Sequence, residues 1–275
     1  MSTPGEATKR LGIIAGNGRF PLLVAEEARK QGWWVVAVAH QGETLPELEP
    51  LVDELEWIRV GQIGRMINRF QSSGVRDVVM AGGIKKTRLF TEARPDLRAL
   101  ALLAKLRTKD DDAILRGLAD ELERSGLVVG DSMQYLTSLL AAAGPMGARR
   151  PTAEEQKDIE YGREMAKEIG RLGIGQCVVV KQHVVLAVEA IEGTDEAIRR
   201  GGRLANGGAV VVKVSKPGQD RRFDLPTIGP GTIAVMAEAG AAVIAVEAGG
   251  SLLLDRAALL RDADRANIAV VGVAP

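Results

Sequence analysis

Residues 11–39 read LGIIAGNGRFPLLVAEEARKQGWWVVAVA. Leu11–Ala15 is a short apolar run that ends in Gly16-Asn17-Gly18, the pattern of a buried strand stopping in a tight turn. Pro21–Gln31 puts Leu22, Leu23 and Ala25 on one side and halts at Gly32, which predicts a helix. Trp33–Ala39 is apolar throughout and predicts a second buried strand. The same alternation continues outward. Glu56–Val60 reads as a third strand. Gln62–Ser72 reads as a helix with Ile63, Met66, Ile67 and Phe70 on one face. Asp77–Ala81 reads as a fourth strand ending in Gly82 and Gly83. Strands alternating with helices, with glycine at the strands' carboxyl ends, argue a parallel, doubly wound sheet. Such sheets take their ligands beyond those carboxyl ends.

Further along, Leu97–Arg107 predicts an apolar helix. Asp110, Asp111 and Asp112 precede another, with Ile114, Leu115, Leu118 and Leu122 at helical spacing and Gly126 at its end. Val128 and Val129 read as a short strand and Tyr135–Ala143 as an apolar helix. Gly144–Pro151, GPMGARRP, has the composition of a linker. The α/β pattern then restarts. It gives a long helix over Glu154–Leu172, strands at Gln176–Val180 and Val184–Ala190, and a helix opened by Thr194 as N-cap with Asp195 and Glu196 in its first turn. Strand Ala209–Val214, helix Ile233–Ala239, strand Ala242–Val246, helix Leu254–Arg261 and strand Ile268–Val273 follow. The expected fold is α/β in two domains: a Rossmann-like parallel sheet over residues 1–145 and a second, smaller α/β domain over 146–275.

Composition sets limits on function. Lys plus Arg and Asp plus Glu both number 36, so the net charge is zero and binding to nucleic acid through bulk charge is disfavoured. Aromatics are 3% of the chain, too few for base-stacking platforms. Cys177 is the only cysteine, which excludes an internal disulfide and fits a reducing compartment. With His40 and His183 the only histidines, a His/Cys zinc site is excluded and a metal would be oxygen-bound, as magnesium is. The polar start MSTPGEATKR does not read as a signal peptide, and no apolar run is long enough for a membrane span. A soluble cytoplasmic protein is expected.

Several clusters could carry chemistry. Gly16-Asn17-Gly18 stands where a dinucleotide fingerprint would, but Pro21 replaces its third glycine and the second strand ends AVAHQ without an acid for a ribose, so NAD is disfavoured. A helix start beside Gly16 and Gly18 could still hold a phosphate, or be a plain turn. Gly82 and Gly83, with Lys85 and Lys86 nearby, leave room for a ligand to approach the backbone. Asp111 and Asp112 read as helix-capping acids or as magnesium ligands. Cys177 and His183, in strand-like segments, read as structural. No serine–histidine–acid set and no G-x-S-x-G elbow is present.

Residues 213–232, KVSKPGQDRRFDLPTIGPGT, hold Lys213, Lys216, Arg221 and Arg222, and behind these four comes one acid, Asp224, placed two residues before Pro226. Gly229 and Gly231 flank Pro230 ahead of an apolar run that predicts a helix start, whose unbonded N–H groups suit an anion. Cations, amides and one carboxylate together point to phosphate chemistry with a metal or a water. Asp224 could orient the water or ligate a metal ion.

These segments also carry a family likeness. LGIIAGNGRFP, AGG at residues 81–83, KDDDAILR at 109–116, IGQCVVV at 174–180, VLAVEAIEGTDEAIRR at 185–200 and above all FDLPTIG at 223–229 resemble the UDP-2,3-diacylglucosamine pyrophosphatase family of lipid A synthesis, of the type unrelated to calcineurin-like enzymes. The resemblance runs from about Leu11 to the end. It implies two α/β domains with the substrate between them, and hydrolysis of the pyrophosphate to UMP and 2,3-diacylglucosamine 1-phosphate with Mg²⁺. It implies that Asp224 is the catalytic acid and a metal ligand, and that Gly18, Ala81, Gly82, Val129, Thr194, Lys213 and Leu225 contact the substrate. It further implies a lipid-linked UDP-sugar as partner, sheltering of its acyl chains in a groove of the second domain, peripheral contact with the inner membrane, and a possible homodimer. The competing expectation is a non-catalytic regulator that binds a sugar nucleotide or phosphate on the same frame.

Overall fold

The computed structural model describes residues 9–84, 94–106, 111–218, 220, 222 and 226–275, the side chains of Asp111 and Asp112 excepted. The chain divides into two compact units, one running to Leu136 and the other starting at Thr137.

The first unit is built on β1 (Arg10–Ala15), β2 (Trp34–His40), β3 (Glu54–Ile58), β4 (Asp77–Ala81) and β5 (Val128–Val129). All pair in parallel, in the order β3-β2-β1-β4-β5. Its helices are α1 (Phe20–Lys30), α2 (Ile63–Ser72), α3 (Leu97–Lys105) and α4 (Asp111–Arg124). The apolar stripe of α2 behaves as its spacing predicts. Met66, Ile67 and Phe70 are buried against Ile14, Val36, Val38, Val78 and Met80 of the sheet, and Leu122 of α4 joins them. Each such side chain, fully buried, contributes about 1.5–3 kcal/mol. Strand order reverses between β1 and β4, so a crevice is expected beyond their carboxyl ends.

Among the described residues the main sheet of the second unit has six strands, to the five of the first unit's sheet. They are β6 (Gly144–Pro145), β7 (Cys177–Lys181), β8 (Val184–Val188), β9 (Ala209–Lys213), β11 (Ala241–Glu247) and β13 (Ala269–Val273), in the order β6-β13-β11-β9-β7-β8. β13, β11 and β9 are parallel, while β6, β7 and β8 run antiparallel to their neighbours. A separate parallel pair joins β10 (Thr227–Ile228) to β12 (Leu252–Leu253). Successive strand residues face opposite ways. Val179, Val211, Ile244 and Val270 therefore pack under Ile198, Ile233, Met236 and Leu259, which belong to α6 (Thr194–Ala205), α7 (Pro230–Glu238) and α8 (Arg256–Arg265). Val178, Val180, Val210 and Val212 pack on the other face under Ile159 and Ala166 of α5 (Ala153–Arg171). Thr152 and Glu155 close a capping box at the start of α5.

Some expectations change. Tyr135–Ala143 is not a helix: Ser132–Tyr135 and Thr137–Leu139 are 3₁₀ turns, and the chain then runs extended. Its backbone is satisfied across the fold instead, with Leu140 bridging Leu252 and Ala141 N–H donating to Ser251 O at 2.9 Å. Gly144–Pro151 is not a free linker. Gly144–Pro145 adds to the sheet as β6, and Ala148 N–H donates to Asp264 Oδ1 at 2.7 Å. The helix expected from Leu254 begins at Arg256, because Leu252–Leu253 are taken into β12 and Leu254 N–H donates to Ile228 O. His183 sits with Gln182 in a positive-φ turn between β7 and β8, whose N–H groups donate to the buried Asp158 carboxylate. Cys177 is wholly buried, and burial pushes its thiol up to about 12, which removes it as a nucleophile. No helix among the described residues is long and apolar enough to cross a membrane.

Candidate functional site

In the first unit, chemistry gathers where the strand order reverses. β1 runs into Gly16-Asn17-Gly18 and β4 into Gly82-Gly83. The two turns are bonded to each other: Gly16 N–H donates to Ala81 O at 2.7 Å and Asn17 N–H to Gly83 O at 2.8 Å. A Cβ on Gly16 would stand 2.3 Å from Gly83 O, and one on Gly82 2.3 Å from Asn17 O. Only glycine lets these backbones meet. Gly18 and Gly82 are exposed, both with positive φ. Ala81 and Val129 are buried at the same edge of the sheet. Thus Gly18, Ala81, Gly82 and Val129 all fall at carboxyl ends of strands or in the turn that follows. Lys85 and Lys86 lie outside the described residues.

A buried polar group adjoins this turn that the sequence reading missed. Asn17 Nδ2 donates to Glu43 Oε2 at 3.1 Å, and Glu43 is buried. His40 Nδ1 donates to Ala15 O at 2.9 Å, and Thr44 Oγ1 donates to the same carbonyl at 2.6 Å while accepting His40 N–H. In sequence, QGET reads as a solvated turn; only the pairing of β1 with β2 brings its acid to Asn17. Burial depresses the basicity of His40, partly offset by Ala15 O and Glu43. A histidine whose folded value is lowered favours the folded state above its unfolded value, about 6.5. That contribution is lost as pH falls below about 6.5 and through the folded value. Melting temperatures from pH 8 to 5 should therefore fall more steeply for the wild type than for His40→Gln. Equal slopes would refute this linkage.

In the second unit, a cleft of about 360 Å³ is lined by Glu192, Gly193, Thr194, Asp195, Lys213, Thr227 and Thr232, with no apolar side chain among them. Lys213 ends β9 and its Nζ donates to Thr227 O at 3.1 Å. Among the described residues no carboxylate pairs with it. Two helices begin at this cleft. α6 starts at Thr194 behind Gly193, which holds φ at +86°. α7 starts at Pro230, with Gly229 N–H donating to Thr232 Oγ1 at 3.3 Å. Helix amino termini carry partial positive charge and N–H donors without intrahelical partners. With Lys213 they direct the cleft towards an anion.

The N-cap expectation is corrected here. Thr194 is the first helical residue rather than the cap, and its hydroxyl turns back to donate to Glu189 Oε1 at 2.7 Å. Glu189 is buried, and its other oxygen accepts Gln176 N–H at 3.1 Å. The signal for Glu189 was an acid following a strand of valines, but its partner emerges only when Gly175-Gln176 lies beside the end of β8. Glu192 is turned to Arg200 at 2.6 Å, and backbone N–H together with that guanidinium hold its carboxyl below the usual range.

The loop between Lys213 and Thr227 is fastened at both ends. Ser215 N–H donates to Glu247 Oε2 at 3.3 Å, and Lys167 Nζ donates to Glu247 Oε2 at 2.7 Å and to Ser215 O at 3.3 Å. At the other end, Leu252 N–H donates to Pro226 O at 2.9 Å. Asp224, Leu225 and Arg221 lie outside the described residues. Arg222 groups with the first unit, where it meets Glu123 at 3.1 Å. Asp110 also lies outside, and Asp111 begins α4. Among the described residues no three His, Cys, Asp or Glu side chains gather as a metal-ligand set. The cleft does offer hard oxygen donors, Glu192 and Asp195, of the kind that share Mg²⁺ with substrate phosphates.

Fold and site together define a two-unit α/β protein whose second unit gathers donors for an anionic ligand. Family models give the finer assignment. The LpxI N-terminal domain matches residues 10–139 and the LpxI C-terminal domain matches residues 142–271, and the chain belongs to this LpxI family. It is 35% identical over 280 residues to the UDP-2,3-diacylglucosamine pyrophosphatase LpxI of Caulobacter vibrioides, covering 97% of this chain and 98% of that one. Among solved structures, the biotin carboxylase domain of Hydrogenobacter thermophilus 2-oxoglutarate carboxylase aligns at 15% identity and a TM-score of 0.28, over 66% of this chain and 36% of that one. Rhizobium etli pyruvate carboxylase aligns at 12% identity and 0.29, over 51% and 14%. Likenesses this slight bear on neither fold nor function.

Proposed function

We propose that the protein hydrolyses the pyrophosphate bond of UDP-2,3-diacylglucosamine to UMP and 2,3-diacylglucosamine 1-phosphate. The observation that carries the reading is the cleft in the second unit. Family membership supplies the reaction, and the cleft gathers the motif residues Thr194, Lys213 and Thr227 in one polar space. A pyrophosphate brings adjacent negative charges whose repulsion must be screened as more charge develops in the transition state. Lys213 and the first turns of α6 and α7 supply fixed donors for that purpose. Water attacks the sugar-side phosphorus, the bond from that phosphorus to the bridging oxygen breaks, and UMP leaves with the bridging oxygen. Asp224 orients the water and takes its proton.

Asp224 is three residues from Thr227, a span of about 10–11 Å at full chain extension, which supports its carboxyl working at this cleft. Mg²⁺ would be held by the substrate phosphates with Asp224 and the cleft carboxylates. When bound it supplies charge neutralisation at the phosphoryl oxygens. Burial of each acyl CH₂ is worth about 0.8 kcal/mol, and the cleft has a polar lining. This favours an enzyme working at the inner face of the inner membrane, with its substrate's chains kept in apolar surroundings and the head group in the cleft.

The test is incubation of the purified protein with UDP-2,3-diacylglucosamine in mixed micelles with Mg²⁺, in ¹⁸O-labelled water. The expected products are UMP without label and the sugar 1-phosphate with it. Tight binding without UMP would replace this reading with the non-catalytic one. Exhaustive chelation with EDTA is expected to abolish turnover, restored by Mg²⁺. Full activity after chelation would remove the metal from the proposal.

A further inference from the structure

The buried contact between Glu189 and Thr194 has a chemical consequence for the cleft. A threonine hydroxyl has one hydrogen and two lone pairs. In Thr194 that hydrogen is donated to Glu189 Oε1 at 2.7 Å. Thr194 also lines the cleft, so its hydroxyl has only lone pairs left to offer there. Glu189 is fixed in turn, since its other oxygen receives Gln176 N–H at 3.1 Å and the residue is 8% exposed. A lone-pair surface repels a phosphate oxygen and accepts an N–H or O–H. The neighbouring carboxylates Glu192 and Asp195 reinforce this polarity, while Lys213 marks a separate cationic group of the same cleft.

We infer that Glu189 is a positioning residue that sets Thr194 as a hydrogen-bond acceptor, so that Thr194 selects substrates bearing an N–H or O–H donor on the sugar. The charged phosphates are left to Lys213 and the helix termini. The inference rests on the hydrolase reading above and names the group of that substrate which Thr194 reads. Two sources share the chemistry: the amide N–H of the 2-acylamino group and a free sugar hydroxyl.

Glu189→Gln makes a directional test. Gln176 N–H is a backbone donor and requires an acceptor, so the carbonyl of the new amide must face it. That leaves the amide NH₂ facing Thr194, which then accepts from it and turns its own hydrogen into the cleft. The experiment measures kcat/KM for UMP release from three substrates: the parent, an analogue with the 2-amide replaced by an ester, and a 4,6-dideoxy analogue. The enzymes are the wild type, Glu189→Gln, Thr194→Val and Thr194→Ser, each checked for folding by thermal melting.

The wild type is expected to favour the parent over one analogue by about 10- to 100-fold, the range for leaving one acceptor unsatisfied. Loss with the ester assigns the amide N–H as the source, and loss with the dideoxy analogue assigns a hydroxyl. The discrimination should collapse to within about threefold in Glu189→Gln and Thr194→Val, chiefly by loss of activity on the parent, and persist in Thr194→Ser. A merely structural role for Glu189 would lower activity on all substrates alike and leave the ratio intact, which would overturn the inference. So would a wild type indifferent to both analogues. If Glu189→Gln does not fold, the Val and Ser variants of Thr194 decide the matter by the same ratio. Release of no UMP from the parent by the wild type overturns the hydrolase reading and this assignment with it. UMP release with an unchanged ratio overturns this assignment alone.

Discussion

Asp224→Ala is expected to reduce UMP release by about 10²-fold or more, the usual worth of a positioned general base, without lowering the melting temperature. In residues 213–232 it follows four basic side chains, and only Asp220 is a second acid there. Three links of chain tie it to Thr227, which lines the cleft beside Lys213 and Thr194. Ser215, Arg222 and Pro226 each fasten this segment through their own atoms. Removing the carboxyl should therefore take away chemistry and leave the fold. Asp224→Asn sharpens the result, because an amide keeps the shape but cannot take a proton from water. Activity within about tenfold of the wild type in both variants, with unchanged melting, would end the assignment of Asp224 as the base.

Lys213→Met should cost about 10²–10³-fold in kcat, comparable to removing one preorganised donor at a developing oxyanion. Lys213 closes a strand whose preceding residues, Val210, Val211 and Val212, are fully buried, so its backbone is fixed. Its ammonium is anchored to the carbonyl of Thr227 and has no carboxylate partner among the described residues. A cation so placed attracts an anion without first breaking an ion pair. Methionine keeps the apolar stem that packs at the strand end. Lys213→Arg is not expected to restore full activity, since a planar fork does not substitute for a compact point charge. Unchanged kcat in Lys213→Met would show that the charge screening lies elsewhere. A rise in KM alone would show that Lys213 binds the ground state and the transition state equally.

The parts of the fold that were legible in the sequence share a physical cause. β1, α1 and β2 announce themselves because buried strands must be apolar and turns between them must be glycine-rich. The stripe Met66, Ile67, Phe70 fixes α2 in the same way. Tyr135–Ala143 misled because an apolar run does not reveal where its backbone hydrogen bonds go. Here they go to Ser251 and Leu252, more than a hundred residues away. At the site, Lys213 and Thr194 could be found from their motifs, and they do share a cleft. Glu189 and Glu43 could not, since each acts through a residue that only folding brings near. Gly193 rather than Thr194 caps α6, and the threonine hydroxyl donates to a buried carboxylate instead of accepting from a local backbone N–H.

The loop that carries Asp224 is secured at Ser215 by the Lys167–Glu247 pair and at Pro226 by Leu252. Such a segment resembles a bridge deck between two piers. Its closure entropy varies slowly with span, by only about 0.6 kcal/mol for each doubling of length. Adding residues between Asp224 and Pro226 would therefore cost little in closure entropy while lengthening the tether from the carboxylate to Thr227. The entropy of closing this stretch and the reach of residue 224 thus depend on its length in different ways, the first weakly and the second directly, at up to about 3.3–3.6 Å for each added residue.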